Sequence, residues 1–138
     1  MSTINKNKRR VIGINAILFA ALFGLISLNK EILRPAFQNK GWMNTLTGCF
    51  PNFIAAFIIS LGAVSAVLIR KPKRSRVIVY SVSILVSIAL IVEEFKPMWG
   101  ASEHFDLYDI FASAVGSFLA IVTFEISLLI GNRWKSKQ

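Results

Sequence analysis

With 138 residues the chain has room for one domain, and its 54% hydrophobic content exceeds the ~45–50% apolar share usual in soluble domains. The net charge of +9 comes from basic residues set between and beside apolar blocks, with no nucleic-acid motif, which excludes nucleic acid as a partner. A lone cysteine (Cys49) and a lone histidine (His104) exclude an internal disulfide, a cysteine-built metal site and zinc sites needing several such ligands.

Four apolar blocks follow in chain order, at about 11–29, 50–69, 77–95 and 107–130. The first comes after Lys6, Lys8, Arg9 and Arg10. It is longer than the ~7–15-residue core of a secretory signal, and no small-x-small cleavage site follows it, so it reads as a retained span. The second carries Pro51 near its start, a position where a helix loses nothing by a missing N–H. The third is the shortest, and the fourth runs from Leu107 to Ile130. A span needs ~20 apolar residues at 1.5 Å rise each, and none of the blocks alternates as a barrel strand would. The expectation is an all-α integral membrane protein, a bundle of four transmembrane helices.

Orientation follows from Lys and Arg. The N-terminal segment, the loop with Arg70, Lys71, Lys73, Arg74 and Arg76, and the C-terminal Arg133, Lys135 and Lys137 fall on one side. The other loops hold only Lys30, Arg34, Lys40 and Lys96. The basic side is expected to be cytoplasmic, with both termini inside and the chain multi-pass in the plasma membrane. The acids run the other way: Glu93, Glu94, Glu103, Asp106 and Asp109 flank or fill the second outer loop. Acidic residues contribute little to orientation, so topology does not explain them.

Helices in lipid associate through small residues and hydrogen bonds. At ~100° per residue, Gly13, Ala16, Ala20, Gly24 and Ser27 share one face of the first span. Ala55, Ile59, Gly62 and Ala66 share one in the second, and Tyr80, Ser83, Ser87 and Glu94 one in the third. Asp109, Ser113, Gly116, Ala120, Thr123 and Ser127 share one in the fourth. If these seams face inward, Asp109, Asp106, Glu94 and Asn52 converge at the outer end. Asp106 also suits a helix N-cap. Two carboxylates and an amide there can hold a cation, a basic side chain or an amine-bearing headgroup, and Arg34 is an internal candidate for pairing with them. Glu125, on the far side of the fourth helix near its inner end, is expected to pair with a basic residue.

Glu93-Glu94 alone does not make an intramembrane protease site, which would need histidines on other helices. No nucleophile elbow or phosphate loop is present. The stretch with Glu94, then Phe105-Asp106-Leu107-Tyr108-Asp109, then Ser113, Gly116 and Ala120 resembles the VanZ-like family of small bacterial membrane proteins. Ser113 stands where that family favours Asn, and Ala120 where it favours Gly. The resemblance implies a cell-envelope binding or resistance-related role without catalysis, and the expected ligand site is Asp109, Glu94, Asp106 and Ser113 together with Asn52 from the facing seam. No cofactor is implied. The expected partners are the lipid bilayer and an envelope component or cation. The alternatives are a small transporter or ion-handling subunit, which needs a polar route, and an accessory protein docking to a larger membrane complex.

Overall fold

The computed structural model describes residues 3–95 and 106–135, with side chains over 6–94 and 106–130. Lys96, Glu103, His104 and Phe105, and the side chains of Arg133, Lys135 and Lys137, lie outside the described residues. The elements are α1 (Thr3–Leu28), a π-helical turn (Asn29–Leu33), α2 (Arg34–Phe37), α3 (Trp42–Arg70), α4 (Ser75–Phe95) and α5 (Leu107–Lys135). Four stretches are long and apolar enough to cross a membrane: Lys6–Phe37, Trp42–Arg70, Ser75–Glu94 and Leu107–Ile130. The chain is therefore a four-helix, multi-pass membrane bundle. Large apolar side chains stand outward on its spans, among them Phe23, Leu85 and Phe118. Such a surface suits lipid and not water.

The helices are longer than the apolar blocks. Polar termini extend a helix as long as its backbone bonds close within the segment, which is what a bilayer demands. One expectation changes as a result. Because α3 begins at Trp42, Pro51 lies inside the helix and not at its first turn. A proline there has no N–H to give the carbonyl four residues back, which is that of Thr47. The freed oxygen is not left bare: Asn29 Nδ2 donates to it at 2.9 Å. Asn29 is almost fully buried and opens the π-helical turn, in which the Arg34 N–H reaches the Asn29 carbonyl. Pro35, one residue further, lacks a donor of its own, which loosens the register at this point. Two prolines on neighbouring spans thus explain one interhelical latch.

Asn29→Ala is expected to cost about 1–2 kcal/mol, since it leaves a buried carbonyl unpaired. In a Pro51→Ala background the new N–H can satisfy Thr47, and the cost of Asn29→Ala should shrink. Thermal melts of the four proteins in detergent check this. An undiminished cost in the Pro51→Ala background would remove the latch from the account.

Contacts fix the chain directions. Asn15 meets Ser65 and Asn29 meets Thr47, so α1 and α3 are antiparallel. Gly116 sits against Phe53 and Ala56, and Phe124 packs with Val64 and Val67, so α3 and α5 run parallel. Glu125 reaches Arg76 and Glu94 reaches Asp106, so α4 and α5 are antiparallel. The start of α1, the Arg70–Arg76 connection and the end of α5 therefore share one end of the bundle. Helix α3 packs against each of the other spans, whereas α1 packs against α3 alone among them. Two apolar cores result. Val64, Val67, Val79 and Phe124 fill the basic half between α3, α4 and α5. Leu22, Ile54 and Ile58 fill the opposite half between α1 and α3.

The seams divide on which way they face. That of α5 is inward: Ser113, Gly116 and Ala120 are buried and Asp109 is half-buried. A Cβ at Gly116 would fall on the Phe53 carbonyl oxygen, and would stand 3.0 Å from Ala56 Cβ and 3.1 Å from Phe57 N. The α3–α5 backbones approach this closely only because residue 116 has no side chain. The expected seam of α1 faces the other way. Gly13, Ala16, Ala20, Gly24 and Ser27 are all exposed, with nothing within 4 Å of a Cβ built at Gly13 or Gly24. The helix turns Val11, Asn15, Leu18, Leu22 and Asn29 toward α3 instead, drawn by the hydrogen bonds of the two asparagines. In α3 the Ala55, Ile59, Gly62, Ala66 face is turned toward α1, with Gly62 against Asn15. In α4, Ser83 is buried and Ser87 and Glu94 half-buried, while Tyr80 is exposed.

Candidate functional site

The end of the bundle opposite the basic end gathers most of the sequence-predicted site residues. Asp106 caps α5: its Oδ1 accepts the Tyr108 N–H at 2.8 Å, and its carbonyl accepts the Asp109 N–H at 3.1 Å. This satisfies donors that every helix start leaves open. Glu94, at the end of α4, accepts the Asp106 N–H through Oε1 at 3.0 Å. A carboxylate at a helix C-terminus is poorly placed against its own helix dipole, but here it also meets the N-terminal end of α5, where negative charge is favoured. One carboxylate thus ties the end of α4 to the start of α5.

Asp109 lies one turn deeper. Its carboxyl is in reach of the Asn52 side chain and within the electrostatic influence of Glu94, Asp106 and Arg34. Its Oδ1 is buried and has no hydrogen-bond partner among the described residues. An unpaired buried carboxylate oxygen is costly, and such groups in membrane bundles mark functional sites. Asn52 is half-buried on the facing turn of α3, so the parallel α3–α5 contact places amide against carboxyl. Ser113 is buried directly beneath, but its hydroxyl donates to the Asp109 backbone carbonyl at 2.9 Å. Its proton is therefore spent on the helix and not offered to a ligand.

Arg34 stands over the same end. Its Nη2 is 3.9 Å from a Cβ built at Gly48, one helical turn from Asn52. Among the described residues it makes no ion pair with the carboxylates. The internal cation is thus nearby without filling the site. Glu125 is the structural pair its position suggested. It accepts from Arg76 Nε and Nη2, both at 3.0 Å, and from the Tyr80 hydroxyl at 2.8 Å. A forked guanidinium and a phenol on one carboxylate is a strong geometry for a bundle rim. Glu125→Leu is expected to lower the melting temperature, and Arg76→Met should add little in the Glu125→Leu background. Independent, additive losses in that double-mutant cycle would show the groups uncoupled.

Two residues that matter escaped the sequence reading, Asn15 and Asn29. Each is an amide inside or at the end of an apolar run, where an unpaired amide is expensive. Asn15 Oδ1 accepts from Ser65 at 2.9 Å, and Asn29 holds the proline-freed carbonyl. Lower in the bundle, Ser117, Ser83 and Ser60, one on each of α5, α4 and α3, are buried with hydroxyls lacking partners among the described residues. Comparison of the chain with protein families, characterised proteins and solved structures finds no match.

Proposed function

We propose that this chain is a VanZ-like, non-enzymatic protein of the plasma membrane whose outer carboxyl pocket binds a cationic, amine-bearing group of an envelope component. The observation that carries the reading is the buried Oδ1 of Asp109, beside Asn52 and without a hydrogen-bond partner among the described residues. Glu94 and Asp106 already accept backbone N–H groups, so they shape the pocket and supply charge, while Asp109 offers the open acceptor. An ammonium group carries several donors and suits acceptors that converge from different helices. The count of Lys and Arg supports an orientation with both termini in the cytoplasm, which turns this pocket to the outer face.

Asp109→Asn and Glu94→Gln test the reading. Both substitutions keep the shape and an acceptor oxygen, and the Glu94→Gln side chain can still hold the Asp106 N–H. Loss of function in a complementation assay, with insertion and melting retained, supports the pocket. Full activity of both variants overturns it.

A second reading, a small ion-handling or transport protein, is favoured by one observation: the buried hydroxyls of Ser117, Ser83 and Ser60, on three different spans, have no partners among the described residues. Proteoliposome flux that disappears with Asp109→Asn would select it over binding alone.

A further inference from the structure

Helices α1 and α4 flank α3 without packing on each other, and between them lies a cleft of about 330 Å³ lined by Asn15, Leu22, Ile59, Gly62, Ala66 and Val82. This is the lower end of the size range of small-molecule sites. Its floor is Gly62, which lies against the Asn15 side chain. Its walls are apolar apart from the Asn15–Ser65 pair. Within that pair Asn15 Oδ1 is occupied, at 2.9 Å from Ser65 Oγ, and Nδ2 donates no hydrogen bond among the described residues.

The three elements that line the cleft all end in basic residues on its inner side. Lys8 continues the lining face of α1, seven residues ahead of Asn15 and so ~10 Å beyond it. Arg70 continues that of α3 one turn past Ala66, and Arg74 immediately precedes α4. All three are exposed, and the acid on this rim, Glu125, is taken by Arg76 and Tyr80.

We infer that the α1–α3–α4 cleft is a binding site for an anionic phospholipid, with one acyl chain against Gly62 and Ala66 and the phosphate on Lys8, Arg70 and Arg74. The apolar walls match hydrocarbon, the free Asn15 donor matches an ester carbonyl of the glycerol backbone, and the basic rim matches the headgroup. Basic pockets between spans on the side rich in Lys and Arg recognise anionic headgroups in this manner. A neutral lipid would satisfy the walls and leave the rim uncompensated. A soluble anion would satisfy the rim and leave the walls empty. The site is separate from the outer carboxyl pocket and stands whether or not that pocket binds an envelope component.

The full chain, purified in detergent, can be titrated with phosphatidylglycerol, with phosphatidylcholine of the same chains, and with inorganic phosphate. Native mass spectrometry counts the lipids retained. We expect one phosphatidylglycerol per chain, held about tenfold or more tighter than phosphatidylcholine, with no comparable effect of phosphate. Ala63→Phe and Ala66→Leu, which fill the cleft, should each abolish the retained lipid while the lipid-free melting temperature stays within a few degrees. Combined Lys8→Gln, Arg70→Gln and Arg74→Gln should bring the two lipids to near-equal affinity. Equal affinities in the unaltered protein would overturn the inference, as would a preference that survives both cleft-filling variants. It would also fail if phosphate alone competed the lipid away, or if the cleft-filling variants dissolved a dimer of the chain with no change in lipid retained.

Discussion

Gly116→Ala is expected to lower stability by about 1–3 kcal/mol, the range for a group forced into a well-packed contact, although the same change favours a helix by about 1 kcal/mol wherever there is space. Steric cost wins here because the new Cβ meets the Phe53 carbonyl oxygen, a backbone atom of a long helix that cannot swing aside. The contact it disturbs is that of α3 with α5, on which the relative placement of Asn52 and Asp109 depends. Gly13→Ala and Gly24→Ala supply the control, since both positions face open space. They should be neutral or slightly stabilising. Melting curves in one detergent decide the matter. If all three variants shifted alike, the close α3–α5 approach would be wrong. Gly116→Ala should also weaken whatever Asp109 does.

Asp109→Asn should remove function with the fold intact, and the expected loss in affinity for an amine-bearing ligand is roughly 10–100-fold, from the ~1.5–3 kcal/mol of a charge-assisted hydrogen bond. Structure gives the substitution little else to break. The Asp109 backbone N–H and carbonyl keep their bonds to Asp106 and Ser113, and among the described residues Oδ1 has no bond to lose. Removing a half-buried carboxylate from the neighbourhood of Glu94 and Asp106 should, if anything, raise the melting temperature. A variant that is more stable yet inactive is the signature of a group held for binding at a cost to folding. A variant that is less stable and fully active would assign Asp109 to packing.

The four spans could be read directly from the apolar blocks because their length against the bilayer leaves no other solution for the backbone. The seam of α5, left without a direction by periodicity, carried its own marker, since it ends in Asp109 and a carboxylate turns away from lipid. The seam of α1 carried no such marker. Small and large apolar faces are equally content in hydrocarbon, so periodicity defined a face without directing it. Asn15 and Asn29 held the direction, and each turns toward α3, where Asn15 Oδ1 accepts from Ser65 and Asn29 Nδ2 donates to the Thr47 carbonyl. Pro51 was misplaced for a related reason. The apolar block begins near it, but helix starts answer to capping and hydrogen bonding as well as to hydropathy, and α3 begins at Trp42. The Glu125 partner had to come from the basic end, and only the antiparallel α4–α5 pairing selected Arg76 from among its neighbours.

The Asn29–Thr47 latch has a consequence for biogenesis. Its donor and acceptor are separated by 18 positions, and α3 completes the hairpin well before α5 is translated. An N-terminal hairpin that fastens itself can leave the translocon as a finished unit, on which the later spans assemble. In that order of assembly the central helix is clasped on one flank first, and the flank that meets Gly116 stays free until α5 arrives.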